Sequence, residues 1–344
     1  MIGASIRILC VVLAACQLWA AVPEAVAEAA RGAALAREGK YELAIQHYKA
    51  ALLLDSHLPG LSLNLGLAYF KSKRLPEAAT AFEEAVRDNG SSFQVRALLG
   101  MSYYSCARYA DAAAQLKAAS DAQPENVELR YTLAQSYLAS NQYPEAEAEF
   151  QLLLSKNPDS APVHILLGEV LDASNRVEAA TAEFEAAVKV SPVPPGGHFG
   201  LGYLYWKQQR YEDACREFAA ELAGQPQDSQ SLTYLGDAEM HTDREKQAET
   251  HIRRALALDA SSRLAHLDLG ILLAARNDSG EAVRCFREAI RIDPSKSDAH
   301  YRLARLWRSL GREQEAQAEV ETVKKLAAEQ PPPPLIRLPG RPHP

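Results

Sequence analysis

The sequence predicts an all-α chain built from about nine helix–turn–helix units of equal length. Three observations predict it. A small residue recurs at Gly66, Gly100, Ala134, Gly168, Gly202, Gly236, Gly270 and Ala304, each 34 residues from the next. An alanine keeps the same period at Ala44, Ala78, Ala112, Ala146, Ala180, Ala214, Ala248, Ala282 and Ala316. Four residues after most of these alanines stands a large side chain: Tyr48, Phe82, Phe150, Phe184, Phe218 and Phe286. A proline or acidic turn closes many units, at Pro124, Pro158, Pro192, Pro226 and "RIDP" over 291–294. Self-similarity at a fixed period of 20–50 residues is the mark of a stacked array. The nine units run 25–58, 59–92, 93–126, 127–160, 161–194, 195–228, 229–262, 263–296 and 297–330, without an insertion.

Each unit carries two amphipathic helices. In the second unit, Leu65, Ala68 and Tyr69 share one face of the first helix, and Ala78, Phe82 and Ala85 share one face of the next. Pro76 and Pro144 suit the first turn of a second helix, where no N–H is needed. Glycine in a helix interior costs about 1 kcal/mol relative to alanine, so the periodic glycines need a packing reason. The expected reason is that the first helix meets the alanine of its partner helix too closely for a side chain. Ala134 and Ala304 are then the next smallest choice. One unit cannot bury its apolar face alone, so neighbours must stack.

The framework is written out in "LGLAYFKSKRLPEAATAFEEA" (65–85) and again in "LGYLYWKQQRYEDACREFAAE" (201–221). It resembles the tetratricopeptide repeat (TPR) family over residues 25–330. The resemblance implies a right-handed superhelical solenoid with a concave groove that holds partner peptides. The framework residues themselves say nothing about the ligand. The carboxylate clamp of chaperone-binding members is matched only at Asn64; Ala29, Ala33, Gln94 and Leu98 stand where its other residues are expected. Binding of an EEVD-type tail is therefore not expected.

The segment before the array, 1–24, reads as an export signal. Arg7 and the amino terminus supply positive charge, and Ile8 to Ala15 supply an apolar core too short to span a bilayer convincingly. "LAAC" over 13–16 resembles a bacterial lipobox, with Cys16 as the residue to be lipidated. Gln17 after it fits outer-membrane sorting. Ordinary cleavage near Ala20 or after "AVA" (25–27) competes, and an uncleaved anchor is a third reading. The tail, 331–344, is proline-rich and cannot be helical. The ninth unit departs from the pattern at Trp307, Val320 and Val323, and its charged last helix suits a cap with a wet outer face.

Composition narrows the function. The net charge is −7 and no basic face stands out, so nucleic-acid binding is not expected. Cys106, Cys215 and Cys285 lie in different units and read as free thiols. His164, His198, His266 and His300 recur on the 34-residue period, four before the small residue. Equivalent residues of neighbouring units are about 8–10 Å apart, too far to share one metal ion, so aromatic-like packing is the expectation. No phosphate-cradling loop and no nucleophile–base arrangement stands out, and Glu-rich runs such as "EAEAEF" (145–150) read as solvated faces. The fourteen residues after the array are too few for a catalytic domain. Neither an enzyme, a cofactor nor a metal is expected.

A second stripe on the first helices is free to choose a partner. It carries Leu63, Leu67 and Phe70, then Met101 and Tyr104, then Tyr131 and Leu138, and in the sixth unit Phe199, Tyr203 and Trp206. Glu169, Asp172 and Asp237 interrupt it with acid, and Arg305 and Arg308 make its far end basic. Neighbouring first helices could instead bury much of it. Tyr104 and Trp206, near helix ends, are the least easily buried. Asp172 and Asp237 are expected to orient a partner from either side of the sixth-unit aromatics. The leading reading is a non-catalytic, exported scaffold of the bacterial envelope with a protein or peptide partner. A recruiting subunit for a separate glycan- or peptide-processing enzyme is the alternative.

Overall fold

The computed structural model describes residues 23–89 and 92–329, and every regular element there is an α-helix. The export signal with Cys16 and the proline-rich tail lie outside the described residues. Contacts divide the chain into two compact units, Met1–Glu183 and Phe184–Pro344. The first holds α1 (23–37), α2 (Tyr41–Leu54), α3 (Leu61–Lys71), α4 (Leu75–Asn89), α5 (Phe93–Ser105), α6 (Tyr109–Ala122), α7 (Val127–Ala139), α8 (Tyr143–Lys156) and α9 (Ala161–Ala173). Residues of both lie in α10 (Val177–Lys189). The second holds α11 (Gly197–Lys207), α12 (Tyr211–Gly224), α13 (Ser229–Met240), α14 (Glu245–Leu258), α15 (Arg263–Ala275), α16 (Ser279–Ile292), α17 (Ser297–Ser309) and α18 (Glu313–Glu329). Odd-numbered helices are the first helices of the repeats, and even-numbered ones the second.

The core is the periodic set. Ala44, Ala78, Ala112, Ala146, Ala180, Ala214, Ala248, Ala282 and Ala316 are fully buried, as are Phe82, Phe150 and Phe218. The reason for the glycines differs from the one expected. A Cβ built on Gly66 would stand 2.6 Å from the Phe82 ring, and one on Gly270 would stand 2.6 Å from the Phe286 ring. The obstacle is the large side chain four residues after the alanine, not the alanine methyl. At Gly100 and Gly236 the same place is filled by Leu116 and Ile252, with the carbonyls of Ala112 and Ala248 next in line. The small residue makes room for the largest one across the helix pair.

The turn between the two helices is also periodic. Lys73, Ala107, Asn141, Asn175, Gln209, Asp243 and Asn277 all have φ between 58° and 64°, and Gly39 and Gly311 occupy the same register at 75° and 72°. The next residue reaches back five positions: the N–H of Arg74 bonds the carbonyl of Tyr69, Arg108 that of Tyr103, and Arg210 that of Tyr205, each at 2.9 Å. This is the left-handed Schellman closure, which satisfies carbonyls that a helix end leaves open. The arginine after it then lies over a ring of the helix it has just closed, 4.0 Å from the Tyr103 ring for Arg108, with Arg210 over Tyr205 and Arg312 over Trp307 at the same distance. At the far end α18 buries only Ala316, as a cap with a wet face requires, and Trp307 joins the core.

Candidate functional site

The recurring histidines have partners within their own repeats. His164 bonds Glu183 (2.6 Å), His198 bonds Glu217 (2.7 Å) and His300 bonds Glu319 (2.5 Å), always from a first helix to the second and always 19 residues on. The same two slots hold Arg130 with Glu149, Arg96 with Gln115 (3.0 Å), and, reversed, Glu28 with His47 (2.6 Å). The expectation of aromatic-like packing is thus corrected: the slot holds one half of a polar clasp. His266 keeps the carbonyl contact from Nε2 that His164 also makes, here to Ala260 (3.1 Å) as His164 does to Pro158 (2.8 Å). Its Nδ1 has no hydrogen-bond partner, since Cys285 stands where the glutamate would be. The "EAEAEF" run is likewise not simply solvated, since Glu149 is largely buried against Arg130 and Glu147 takes Arg176 at 2.8 Å. Cys215 and Cys285 are buried free thiols and Cys106 is half-buried. Burial pushes the Cys215 thiol up to about 11, which keeps it an unreactive thiol. Among the described residues no group of His, Cys, Asp and Glu could hold a metal ion, and no helix is long and apolar enough to cross a membrane.

The second stripe is present on the first helices. In the first compact unit Leu63, Leu67, Phe70, Tyr104, Tyr131 and Leu138 are half-buried, and Met101 is exposed. Tyr104 is met edge-on by Tyr109 at 5.4 Å, so its position near a helix end does not leave it bare. Leu67 and Asn64 line a 380 Å³ cavity with Tyr48, Arg37 and Lys71. On α9, Glu169 is exposed and Asp172 half-buried.

In the second compact unit Phe199, Tyr203 and Trp206 stack along α11, with centroids 6.4 and 5.9 Å apart. Tyr234 from α13 meets all three edge-on, at 5.9, 5.5 and 5.3 Å. Offset and edge-on ring pairs favour each other through their quadrupoles. All four rings are half-buried, so one side of the cluster stays open. Sequence reasoning missed Tyr234, although it lies three residues before Asp237 on the same helix.

Asp237 does not face a partner as expected. It is buried, and the indole Nε1 of Trp206 donates to its carboxylate. Burial raises its carboxyl above the usual range. Asp268 on α15 is buried more deeply, at 2% exposure, and its Oδ2 has no hydrogen-bond partner. Burial first, and the Asp237 charge second, push its carboxyl well above the usual range. Nothing in the repeat pattern singled out Asp268, because an acid in a slot that otherwise varies carries no periodic signal. Beyond it, Arg302, Arg305 and Ser309 of α17 line a 310 Å³ cavity with Ile271 and Ala274 of α15, floored by Phe286 and Leu306.

Family comparison decides what this arrangement is. Models described as tetratricopeptide repeat match residues 107–169 and 165–229, 199–263 and 267–331, and one described as TPR repeat matches 32–73. The chain belongs to the tetratricopeptide repeat family. No curated protein matches it. Among solved structures, a TPR protein from Parabacteroides merdae superposes with TM-score 0.55 at 16% identity, over 71% of this chain and 96% of that one. The APC/C hetero-tetramer Cut9–Hcn1 gives 0.57 at 12%, over 89% and 74%. PilF of Pseudomonas aeruginosa gives 0.53 at 18%, over 61% and 95%. At these identities the likeness is one of fold. TPR domains generally serve as non-catalytic scaffolds that bind protein or peptide partners.

Proposed function

We propose that this TPR chain is a non-catalytic scaffold that binds an extended partner segment along the second stripe of its first helices. The observation that carries the reading is the aromatic cluster of Phe199, Tyr203, Trp206 and Tyr234. Four large rings are packed on one another yet left half-open. An open patch of that kind marks an interaction site more often than chance exposure does. A photo-crosslinking residue placed at Tyr203 or Met101 should capture a partner protein that the same residue at Leu53, 89% exposed on a second helix, does not. Equal capture at all three positions, or capture at Leu53 alone, removes the reading. Recovery of one enzyme whose activity rises on addition of the chain would favour the recruiting-subunit alternative.

The setting we propose is the bacterial envelope, on the strength of the charged start, apolar core and "LAAC" motif of residues 1–24. If Cys16 is lipidated, Cys16→Ser abolishes fatty-acid labelling and leaves the precursor uncleaved. Unchanged labelling, or a mature amino terminus at Val22 or beyond, rules lipidation out.

A further inference from the structure

Arg302, Arg305 and Arg308 project from α17 at spacings of three. Residues three apart share a helix face, and like charges there repel by a few tenths of a kcal/mol per pair. The neighbouring arginines are relieved of such repulsion: Arg263 pairs with Asp298, Arg276 with Glu249, Arg291 with Glu288 and Arg312 with Glu315. The three on α17 are not. Among the described residues no carboxylate lies within 4.0 Å of any of them. Arg305 and Arg308 are exposed, and Arg305 reaches only the Tyr301 ring, 6.0 Å away. The carboxylate one turn before Arg302 on α17, Asp298, is already paired with Arg263. Two of these cations, Arg302 and Arg305, therefore line a cavity with Ile271, Phe286 and Leu306 while having no carboxylate partner among the described residues, and Arg308 follows them one turn further along α17.

We infer that this end of the stripe is the acidic-segment subsite of the scaffold: carboxylates of an extended partner peptide bridge Arg302, Arg305 and Arg308, while an adjacent apolar side chain seats over Ile271, Phe286 and Leu306. The inference rests on the groove reading above and adds the partner's chemistry to it. Arginine forks match carboxylates in two parallel bonds, which gives register as well as attraction. A peptide is favoured over a nucleic acid because three arginines are a small footprint in a chain of net charge −7. The floor of the site is also aliphatic and aromatic rather than a stacking platform for bases.

The test uses the full chain and three fluorescent probes followed by anisotropy: a ten-residue peptide alternating Glu and Leu, its Lys–Leu counterpart, and a ten-nucleotide single strand. The wild type should bind the Glu–Leu peptide at least tenfold more tightly than the Lys–Leu peptide, and rising salt should erode the difference. Arg305→Glu with Arg308→Glu should reverse the preference, and Arg305→Ala with Arg308→Ala should abolish it, each with unchanged helical circular dichroism. These positions are exposed, so the fold has no reason to suffer. Preference for the Lys–Leu peptide or the oligonucleotide, or a Glu–Leu preference that survives both variants, overturns the inference. So does the absence of binding to any probe. If both peptides bind alike and Tyr203→Ala abolishes that binding, the acidic subsite is wrong while the groove reading stands. Retained Glu–Leu preference in Tyr203→Ala, lost only with the arginines, supports the subsite and separates it from the aromatic cluster.

Discussion

At the scale of single residues, two positions carry opposite kinds of tension. Gly270 lies against the Phe286 ring with no room for a methyl, whereas a Cβ on Gly280, in the first turn of α16, would meet nothing within 4 Å. Gly270→Ala should therefore destabilise the chain by about 1–3 kcal/mol through overpacking. Gly280→Ala should be neutral or stabilising by up to about 1 kcal/mol, since only helix propensity changes. Thermal melts of the two variants check this; equal midpoints would refute the close-approach account. Asp268 is the other position. Its folded-state carboxyl titrates above the unfolded value, so the folded chain holds the proton more tightly. The stability this contributes is complete below the unfolded pKa of about 3.9 and is lost as pH rises toward the folded one. The groups facing it are Asp237, Asp298, Arg263 and Arg302, and the two arginines do not outweigh burial. Asp268→Asn removes the titration. Its melting temperature should rise relative to wild type as the pH is raised from 4 to 8, and a constant difference across that range would contradict the assignment.

At the scale of the helix pair, the fold was legible because its strongest constraints are periodic. Small residue, alanine and large side chain recur at fixed offsets, and a fixed offset is what a sequence displays. The left-handed turn was not legible, for a physical reason. The register at 39, 73, 107 and onward is a backbone requirement, and it is filled by Gly, Lys, Ala, Asn, Gln and Asp alike. No residue type announces it. The polar clasp was hidden in the same way, since His–Glu, Arg–Glu, Arg–Gln and Glu–His all serve in the same two slots. The turn yields a prediction. A left-handed conformation costs an ordinary L-residue about 1–2 kcal/mol, which glycine, lacking a Cβ, avoids, although its greater freedom in the unfolded chain takes back part of that gain. Ala107→Gly and Gln209→Gly should each stabilise by about 0.5–1 kcal/mol, while Gly311→Ala should destabilise by a similar amount. Denaturant midpoints with unchanged slopes would show it. Loss of stability in Ala107→Gly would mean that the turn is held by something other than its dihedral angle.

At the scale of the whole molecule, the framework that builds the array is indifferent to its partner, so function has to be read from what varies between repeats. The sequence marked Phe199, Tyr203 and Trp206 correctly as neighbours on one helix, because spacings of four and three place them there. It could not see that Tyr234 and Asp237, both from the next first helix, pack onto the cluster rather than face a partner, because that meeting exists only in three dimensions. That difference separates the roles of two adjacent rings. Trp206 spends its only N–H on Asp237, a buried carboxyl whose other polar neighbour, the His241 ring, stands 3.9 Å off, beyond hydrogen-bond reach. Trp206→Phe keeps an aromatic face and removes that bond, leaving a buried polar group unsatisfied at a cost of about 1–3 kcal/mol. It should therefore lower the melting temperature, and its effect on partner binding should be secondary. Tyr203 has no such duty. Its ring lies between Phe199 and Trp206, with Lys207 5.6 Å from its centroid, and its open side is available for contact. Tyr203→Ala should weaken capture of a crosslinked partner severalfold or more, as loss of an interface aromatic does, with a smaller change in melting temperature than Trp206→Phe. Measuring melting and capture for both variants in parallel distinguishes the roles. If Trp206→Phe leaves the melt untouched while abolishing capture, the indole serves the partner rather than Asp237. If Tyr203→Ala unfolds the repeat, the cluster is core and the binding face must be sought elsewhere on the first helices.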